Sequence, residues 1–357
     1  MAKVLRLVAG VSVLALAAAG CGSKPTSATP SKAAAAAAKF SACMVTDTGG
    51  IDDRSFNATS WAGMQAAKTD SGTDVSYIQS TSENDYVPNI NSLVAKKCGL
   101  IVTVGGLMGT ATTKAATANP SQKFAIVDSP SVGTNIYGMQ FNTAQGGFLG
   151  GYLAAGMSKS GKVATFGGLP IPPVTVYMDG FQEGVNYYNK QKGTKVQVLG
   201  WDEAKPKSGS MANSFTDQAK GKQIATNFIQ QGADVIFPVA GGVGLGAAAA
   251  AQASGGKVSI IWVDTDGCVS AQQYCSVFLT SVVKGISGAV QQAVDTAAKG
   301  TALTGGYLGT LQNNGTGLAP FHDFDAKVPA ALKAELDTVK ADIESGKITI
   351  ASPNQPK

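Results

Sequence analysis

The sequence contains few of the side chains that most enzymes use for chemistry. Among its 357 residues there is a single histidine, His322, and only 14% of the residues are charged. Nucleophilic catalysis by serine or cysteine usually needs a nearby base, and one histidine late in the chain argues against it. Neither GxSxG nor GxxxxGK[ST] occurs, so the signatures of α/β-hydrolases and of P-loop proteins are missing. We therefore predict a protein that is not an enzyme.

Clustered basic residues are also missing. The net charge of +5 is small for this length and is not gathered into a run, whereas nucleic-acid-binding proteins carry a basic face. No CxxC pair occurs, so a structural zinc site is not indicated. The sequence thus predicts neither a nucleic-acid partner nor a metal or other cofactor.

The one long apolar run lies at the N-terminus. Basic residues flank the start of Val4 to Ala19, which is short for a membrane-spanning helix of about 20 residues. The run ends in LAAAGC at Cys21, which resembles a bacterial lipoprotein signal, although an ordinary secretory signal is the alternative. We predict a signal peptide at 1–20, a lipid on Cys21 and a disordered tether at 21–39, which is rich in Ser, Thr, Pro, Lys and Ala.

Four further cysteines remain after Cys21 is set aside: Cys43, Cys98, Cys268 and Cys275. An even number of cysteines in an exported protein indicates disulfides. The later two flank six residues and could close a local loop, and the earlier two lie at the starts of strands that would be neighbours. The alternative is a set of free buried thiols.

Strand-like and helix-like runs alternate in two series. The first extends from ACMVTD (42–47) to IYGMQF (136–141), and the second from KVATFGG (162–168) to SVFLTSV (276–282). Such alternation is typical of βαβ units with parallel sheets, and the chain is longer than one core usually serves. The sequence therefore predicts an α/β protein with two doubly wound, Rossmann-like lobes.

Most of the predicted strands end in an aspartate or a glycine pair. The positions are Asp47, Gly105–Gly106, Asp128, Gly167–Gly168, Gly241–Gly242 and Asp264. Ligands of open α/β sheets bind beyond the carboxyl ends of the strands, so these residues predict a small-molecule site between two facing rims. The alternative for any single aspartate is that it caps the following helix.

Eight motifs occur in the order found in one known family. They are VTDTGGIDDRSFN (45–57), FAIVDS (124–129), GGFLGGYLAA (146–155), GKVATFGG (161–168), DGFQEGV (179–185), QGADVIFPVAGGVGLGAAAAA (231–251), WVDTD (262–266) and LTSVVKG (279–285). Over about residues 42–317 the sequence resembles the basic membrane protein family of nucleoside-binding lipoproteins, the substrate-binding components of ABC importers. The resemblance implies a type I periplasmic-binding fold, in which a hinge joins the two lobes.

The resemblance also implies the extent of each lobe. We expect lobe 1 at 40–158 and lobe 2 at 159–264. The chain would then return to lobe 1 at 265–303, and the C-terminal segment 304–357 would complete lobe 2.

By the same resemblance, particular residues are expected to hold a nucleoside. Asp47 and Asn57 would bind the base, with Asp128 as a further polar contact, and Phe56 and Phe181 would stack on its two faces. Asp264 would accept the ribose hydroxyls, assisted by Lys284 and the backbone at Gly241 and Gly242. These residue types suit the ligand, since aromatic rings stack on a base and a carboxylate can accept both hydroxyls of a diol. The alternative for the two phenylalanines is packing in the core.

The expected function is therefore that of a monomeric, extracytoplasmic receptor, anchored to the cell membrane, which delivers a nucleoside, expected to be a purine nucleoside, to an ABC permease. One alternative is the same fold binding a sugar or another small polar metabolite, or acting as a signalling lipoprotein. Another is an exported dinucleotide-binding enzyme. In support of the latter, Gly244 to Ala249 fits a relaxed GxGxxA, and Asp264 lies twenty residues after Gly244.

Overall fold

A computed structural model describes residues 39–356 of the chain. The predicted signal peptide, the lipidation site at Cys21 and all but the last residue of the predicted tether lie outside the described residues. Between residues 39 and 356, no helix combines the length and the hydrophobicity needed to cross a membrane.

Strands and helices alternate along most of the described chain. The strands are β1 (Ser41–Val45), β2 (Asp74–Ile78), β3 (Leu100–Val104), β4 (Phe124–Val127), β5 (Ile136–Phe141), β6 (Lys162–Gly167), β7 (Gln197–Leu199), β8 (Val235–Val239), β9 (Ser259–Asp264), β10 (Phe278–Lys284), β11 (Tyr307–Gly309) and β12 (Thr316–Leu318). The α-helices are α1 (Phe56–Ser71), α2 (Tyr86–Ala95), α3 (Gly109–Ala118), α4 (Thr143–Met157), α5 (Pro172–Lys192), α6 (Gln218–Gln230), α7 (Gly244–Ala253), α8 (Gly267–Ser270), α9 (Ile286–Ala298) and α10 (Ala330–Glu344).

The first lobe is built on a parallel sheet with the strand order β11-β5-β4-β3-β1-β2. Its central strands are largely apolar, as in LIVTV of β3, where all five residues are buried. Strands covered by helices on both faces have this continuous apolar character. The carboxyl ends of β1, β3 and β4 consequently lie side by side at one edge of the sheet.

The second lobe repeats this arrangement in the strand order β12-β10-β9-β8-β6-β7. Its strands are parallel except β12, which pairs antiparallel with β10. Two α/β lobes with largely parallel sheets are present, so the predicted fold class is confirmed.

Helices α4 and α5 pack against each other at unusually close range in the second lobe. Gly147 and Gly151 of α4 lie against the backbone of α5, and Gly180 and Gly184 of α5 lie against the backbone of α4. A Cβ atom at any of the four would collide with backbone of the facing helix. The motifs GGFLGG and DGFQEG therefore serve to join two helices.

The chain passes between the two lobes at three places, and these differ from the predicted boundaries. Helix α4 belongs to the core of the second lobe although 40–158 was assigned to the first. Strand β10 pairs with β9 in the second sheet, so within 265–303 it is α9 that returns to pack on α1. In 304–357, β11 joins the first sheet and β12 the second. An apolar strand fits either sheet equally well, so its pattern alone does not reveal where the chain crosses.

The structure joins the four cysteines of the described chain in two disulfides. Cys43 of β1 bonds to Cys98, which precedes the neighbouring strand β3, and Cys268 bonds to Cys275 across a short loop after β9. The first bond links adjacent strands inside the core of the first lobe.

Candidate functional site

A cavity lies between the two rims of strand ends, and the empty space in it, open solvent included, is about 580 Å³. Eight of the nine residues predicted to bind a ligand line it: Asp47, Phe56, Asn57, Asp128, Gly241, Gly242, Asp264 and Lys284.

The first lobe contributes a compact acidic cluster. The Oδ1 atom of Asp47 accepts hydrogen bonds from the Asn57 side-chain amide, at 2.7 Å, and from the backbone amide of Gly49, at 3.1 Å. The same Asn57 amide donates to Asp53 Oδ2 at 3.3 Å. Both protons of the Asn57 amide are therefore engaged by carboxylates, while its Oδ1 atom is buried without a partner.

Asp53 caps helix α1 and is also part of this cluster. Its carboxylate accepts from the backbone amides of Ser55, Asn57 and Ala58 at 2.8–3.0 Å. Aspartate is a common helix cap. Asp53 is in addition buried and lines the cavity.

Burial weakens the ionisation of both carboxyl groups. Burial raises the pKa of Asp47 to about 6, against the hydrogen bonds from Asn57 and Gly49 and together with the charges of Asp128 and Asp264. Burial likewise raises the pKa of Asp53 to about 7, against its three backbone hydrogen bonds. Carboxyl groups with such pKa values in a cleft are candidates for ligand contact.

Gly105 allows the cluster to approach the end of β3. Its φ of 112° suits glycine, and a Cβ atom there would lie 2.9 Å from Asp47 Oδ2. Any other residue at this position would push against the carboxylate.

A buried ion pair connects the two lobes at the cavity. Lys284, at the end of β10, places its Nζ atom 2.6 Å from Oδ2 of Asp128, which follows β4. Burial raises the pKa of Asp128, and the lysine charge opposes that effect. The ammonium also lies 5.0 Å from the centre of the Phe56 ring and 5.3 Å from that of Phe141, in the range of cation–π contact.

Asp264 is held from both lobes. Its Oδ1 accepts from the Tyr177 hydroxyl and its Oδ2 from the Ser55 hydroxyl, each at 2.7 Å. Tyr177 belongs to α5 of the second lobe, whereas Ser55 precedes α1 of the first. The Ser55 contact therefore bridges the lobes, as the Lys284–Asp128 pair does.

Two of these aspartates adopt a backbone conformation that favours glycine. Asp128 has a φ of 65° and Asp264 a φ of 68°. Asp128 follows β4, and Asp264 is the last residue of β9, the equivalent strand of the second lobe. Left-handed conformations of residues other than glycine are concentrated at binding sites, and here they direct both carboxylates into the cavity.

The ninth predicted residue, Phe181, is in the core and not in the cavity. Its side chain is fully buried and packs against Phe237, with ring centres 5.4 Å apart. The close approach of α4 to α5 covers it completely. The stacking role assigned to Phe181 is therefore wrong, and core packing, the alternative reading, describes it.

Two aromatic residues of the second lobe line the cavity instead, and neither was predicted. Phe215 is half-buried beside Gly241, and Tyr177 is buried beside Asp264. Phe215 lies in the polar loop between β7 and α6. The same loop also contains Trp201. An aromatic residue in such a loop is a recognisable signal, since loops at strand ends carry binding residues.

The glycines of the relaxed GxGxxA pattern have a packing role. A Cβ on Gly244 would lie 2.8 Å from the Trp262 ring, and one on Gly246 would collide with the backbone of α6. The pattern is thus accounted for by the close packing of α7, without a bound pyrophosphate.

Residues 40–312 match the family model Bmp, described as ABC transporter substrate-binding protein PnrA-like. The chain belongs to this family. It is 31% identical to the ABC transporter nucleoside-binding protein BmpA of Lactococcus lactis subsp. cremoris, over 97% of this chain and 99% of that protein. It is 32% identical to the CD4+ T-cell-stimulating antigen of Listeria monocytogenes, over 89% of each chain.

A solved structure supports the assignment of the fold. The PnrA-like protein superposes on the crystal structure of an ABC transporter system solute-binding protein from Aeropyrum pernix with a TM-score of 0.78. The identity is 24%, and the match covers 88% of this chain and 94% of that one. The predicted type I periplasmic-binding fold and the predicted family are both confirmed.

Proposed function

We propose that this PnrA-like protein binds a nucleoside between its lobes and delivers it to the permease of an ABC importer. The observation that carries the proposal is the layout of the cavity. An aromatic ring, Phe56, lies beside a cluster of hydrogen-bond acceptors, and a carboxylate and an ammonium group, Asp264 and Lys284, lie on the facing rim. A nucleoside offers a flat base with polar edges and a sugar diol, which match these two parts.

The aromatic lining supports recognition of a base. Phe56 of the first lobe and Phe215 of the second are both half-buried and line the same cavity. Stacking on aromatic side chains accepts any base, because every base has a π face. We assign the two stacking positions to Phe56 and Phe215.

The acidic cluster supports recognition of the donor groups on a base edge. When ionised, Asp47, Asp53 and Asp128 offer acceptor atoms alone, and the Asn57 amide protons are already engaged. The free Asn57 oxygen and Asp47 Oδ2 remain to accept hydrogen bonds. A base with adjacent N–H donors, such as guanine, fits them better than one with a ring nitrogen acceptor there.

The facing rim supports recognition of the sugar. Asp264 accepts hydroxyl donors, and Gly241 and Gly242, which have no side chains, line the cavity wall. Lys284 supplies the one cationic side chain among the described residues that line the cavity. These groups suit a neutral ribose better than an acidic ligand, because the lysine charge is already balanced by Asp128.

The proposed location follows from the family. Substrate-binding proteins of ABC importers act outside the cytoplasm, and we place this chain there as a monomer anchored through a lipid on Cys21. Mass spectrometry of protein taken from its native membrane should detect a diacylglyceryl cysteine at Cys21. A mature terminus cut at another position would contradict the anchor.

A thermal-shift panel tests the ligand class. Ligands that bind the folded state raise its stability by an amount that grows with concentration. The panel comprises purine and pyrimidine nucleosides, their free bases, ribose and other sugars, and NAD. We expect nucleosides to raise the Tm, free bases to do so less, and sugars and NAD not at all. A response to sugars or NAD without a response to nucleosides would overturn the proposal.

A further inference from the structure

The carboxylate of Asp264 has an internal hydroxyl partner on each of its two oxygens. The Tyr177 hydroxyl donates to Oδ1 and the Ser55 hydroxyl donates to Oδ2, both at 2.7 Å. Asp264 itself is 7% exposed and lines the cavity. The two donors are alcohols, as the hydroxyls of a ribose are.

Both internal partners are committed donors. Burial and the adjacent Asp264 carboxylate hold the pKa of Tyr177 well above its usual range, so the phenol keeps its proton. The Ser55 oxygen lies closer to Asp264 than to its other acceptor, the backbone carbonyl of Val263, at 3.3 Å. Both residues are at most 1% exposed, which leaves their hydroxyls few other partners.

A carboxylate can accept about four hydrogen bonds, two on each oxygen. One position on each Asp264 oxygen is therefore taken by the protein and one remains for a ligand. When a ligand hydroxyl is missing, each oxygen still has a donor. The large penalty for leaving a buried carboxylate oxygen unpaired does not arise, although it is the usual basis for rejecting an analogue that lacks a hydroxyl.

We infer that Tyr177 and Ser55 are positioning residues that broaden the sugar specificity of the site, so that deoxynucleosides are accepted along with ribonucleosides. This inference rests on the proposed nucleoside function. Each residue protects one oxygen of Asp264, so each governs tolerance for the loss of one hydroxyl. Tyr177 acts within the second lobe, whereas Ser55 acts across the cleft.

The test compares the affinities of a ribonucleoside with those of its 2′-deoxy and 3′-deoxy forms. Guanosine is the probe, and calorimetry gives Kd for the wild type, Tyr177→Phe and Ser55→Ala. Tyr188→Phe, on the same helix α5, and Ser71→Ala, at the far end of α1, are matched controls outside the cavity. The readout is the ratio of deoxy to ribo Kd, which a general structural defect would not change.

For the wild type we expect both ratios to be below about tenfold, the size of one ordinary hydrogen bond. Tyr177→Phe should raise one of the two ratios by about tenfold or more, and Ser55→Ala should raise the other, because each leaves one Asp264 oxygen without an internal donor. Ser55→Ala should in addition weaken all three ligands together, since it removes a contact between the lobes. The control variants should keep the wild-type ratios.

Other outcomes separate this inference from the proposed function. A wild-type protein that binds guanosine but rejects a deoxy form by 100-fold or more would overturn the inference and leave the function standing. Ratios of deoxy to ribo Kd that are unchanged in folded Tyr177→Phe and Ser55→Ala would also overturn the inference and leave the function standing. If no nucleoside binds the wild type at all, the proposed function fails and this inference with it.

Discussion

The two rims of the cavity consist of different types of residue. The first lobe supplies four buried polar side chains from a single acidic cluster and its neighbour Asp128, whereas most of the second rim consists of glycine, aromatic and aliphatic residues. Yet the equivalent aspartates of the two lobes, Asp128 and Asp264, are each held by a residue of the opposite lobe. The first rim thus holds several buried carboxylates, and Lys284 of the second rim balances the charge of one of them.

Because of this difference, the two lobes offer different interactions to a ligand. The pKa values of Asp47 and Asp53, raised by burial to about 6 and about 7, mark the first rim as the place where ionisation is unfavourable in spite of the internal hydrogen bonds. A ligand with N–H groups would supply further donors. The second rim, where Gly241 and Gly242 line the cavity, offers backbone contact beside the charged groups of Asp264 and Lys284.

The largest effect is expected from breaking the ion pair between the rims. Lys284→Met leaves the Asp128 carboxylate buried without its partner, which typically lowers stability by about 3–5 kcal/mol. The loss should be greatest at alkaline pH. It should diminish as the pH falls, because the pKa of Asp128 is already raised by burial and rises further without the lysine. Urea unfolding of the wild type and Lys284→Met across pH 5 to 9 measures this loss of stability.

A surface ion pair provides the control for that experiment. Lys192 pairs with Glu335 at 2.6 Å, with side chains 38% and 31% exposed. Lys192→Met should lower stability by less than about 1 kcal/mol. If Lys284→Met is equally mild at all pH values, the pair does not join the lobes in the way described.

A somewhat smaller effect, of opposite sign, is expected from neutralising the acidic cluster. The folded protein binds the Asp47 proton more tightly than the unfolded chain, so this group favours folding at acid pH, and the contribution is lost as the pH rises from about 4 through about 6. Raising this pKa from 3.8 to about 6 corresponds to roughly 3 kcal/mol. Asp47→Asn should therefore be more stable than the wild type by up to that amount at pH 8, and equally stable below pH 4.

The same substitution should weaken ligand binding, because the new amide can present a donor to the donors of the base edge. Asp52→Asn, at an exposed position in the same turn, should change neither stability nor affinity. Chemical denaturation at pH 4 and pH 8, with calorimetry at pH 8, separates the two effects. A less stable Asp47→Asn at pH 8 would contradict the view that the first rim is strained by buried charge.

The smallest effect is expected for Phe56 and Phe181, which were both predicted to stack on the base. Stacking of a base on an aromatic side chain is worth roughly 1–3 kcal/mol, so Phe56→Ala should reduce nucleoside affinity by about 5–150-fold. Phe181→Leu should lower the Tm and leave affinity unchanged, because Phe181 is fully buried behind the cavity wall. A large loss of nucleoside affinity in Phe181→Leu would show that Phe181 is part of the binding site.

Much of the site could be predicted because it follows from strand order. Asp47, Asp128, Asp264 and the Gly241–Gly242 pair each lie at or just after the end of a largely apolar strand, and parallel strands of a sheet bring their carboxyl ends to one edge. Phe56 and Asn57 begin the helix after the first such turn. The positions of these residues are therefore largely determined by local pattern and topology.

The incorrect predictions concern features of the structure that tertiary packing determines. Helix α5 is buried over most of its first half, so its sequence does not show which aromatic residue, Tyr177 or Phe181, faces the cavity. That choice is made by the glycines through which α4 approaches. Phe215 lies in a loop with no periodic pattern. The three crossings between lobes likewise depend on which sheet receives an apolar strand.

The cavity between these two unlike rims is proposed to be a nucleoside site. The most direct test is to titrate the purified protein with guanosine in a calorimeter at several temperatures, with ribose and NAD in parallel. We expect one guanosine per chain, a negative heat-capacity change from burial of the base, and no saturable heat with ribose or NAD. Saturable binding of ribose or NAD with none of any nucleoside would contradict it.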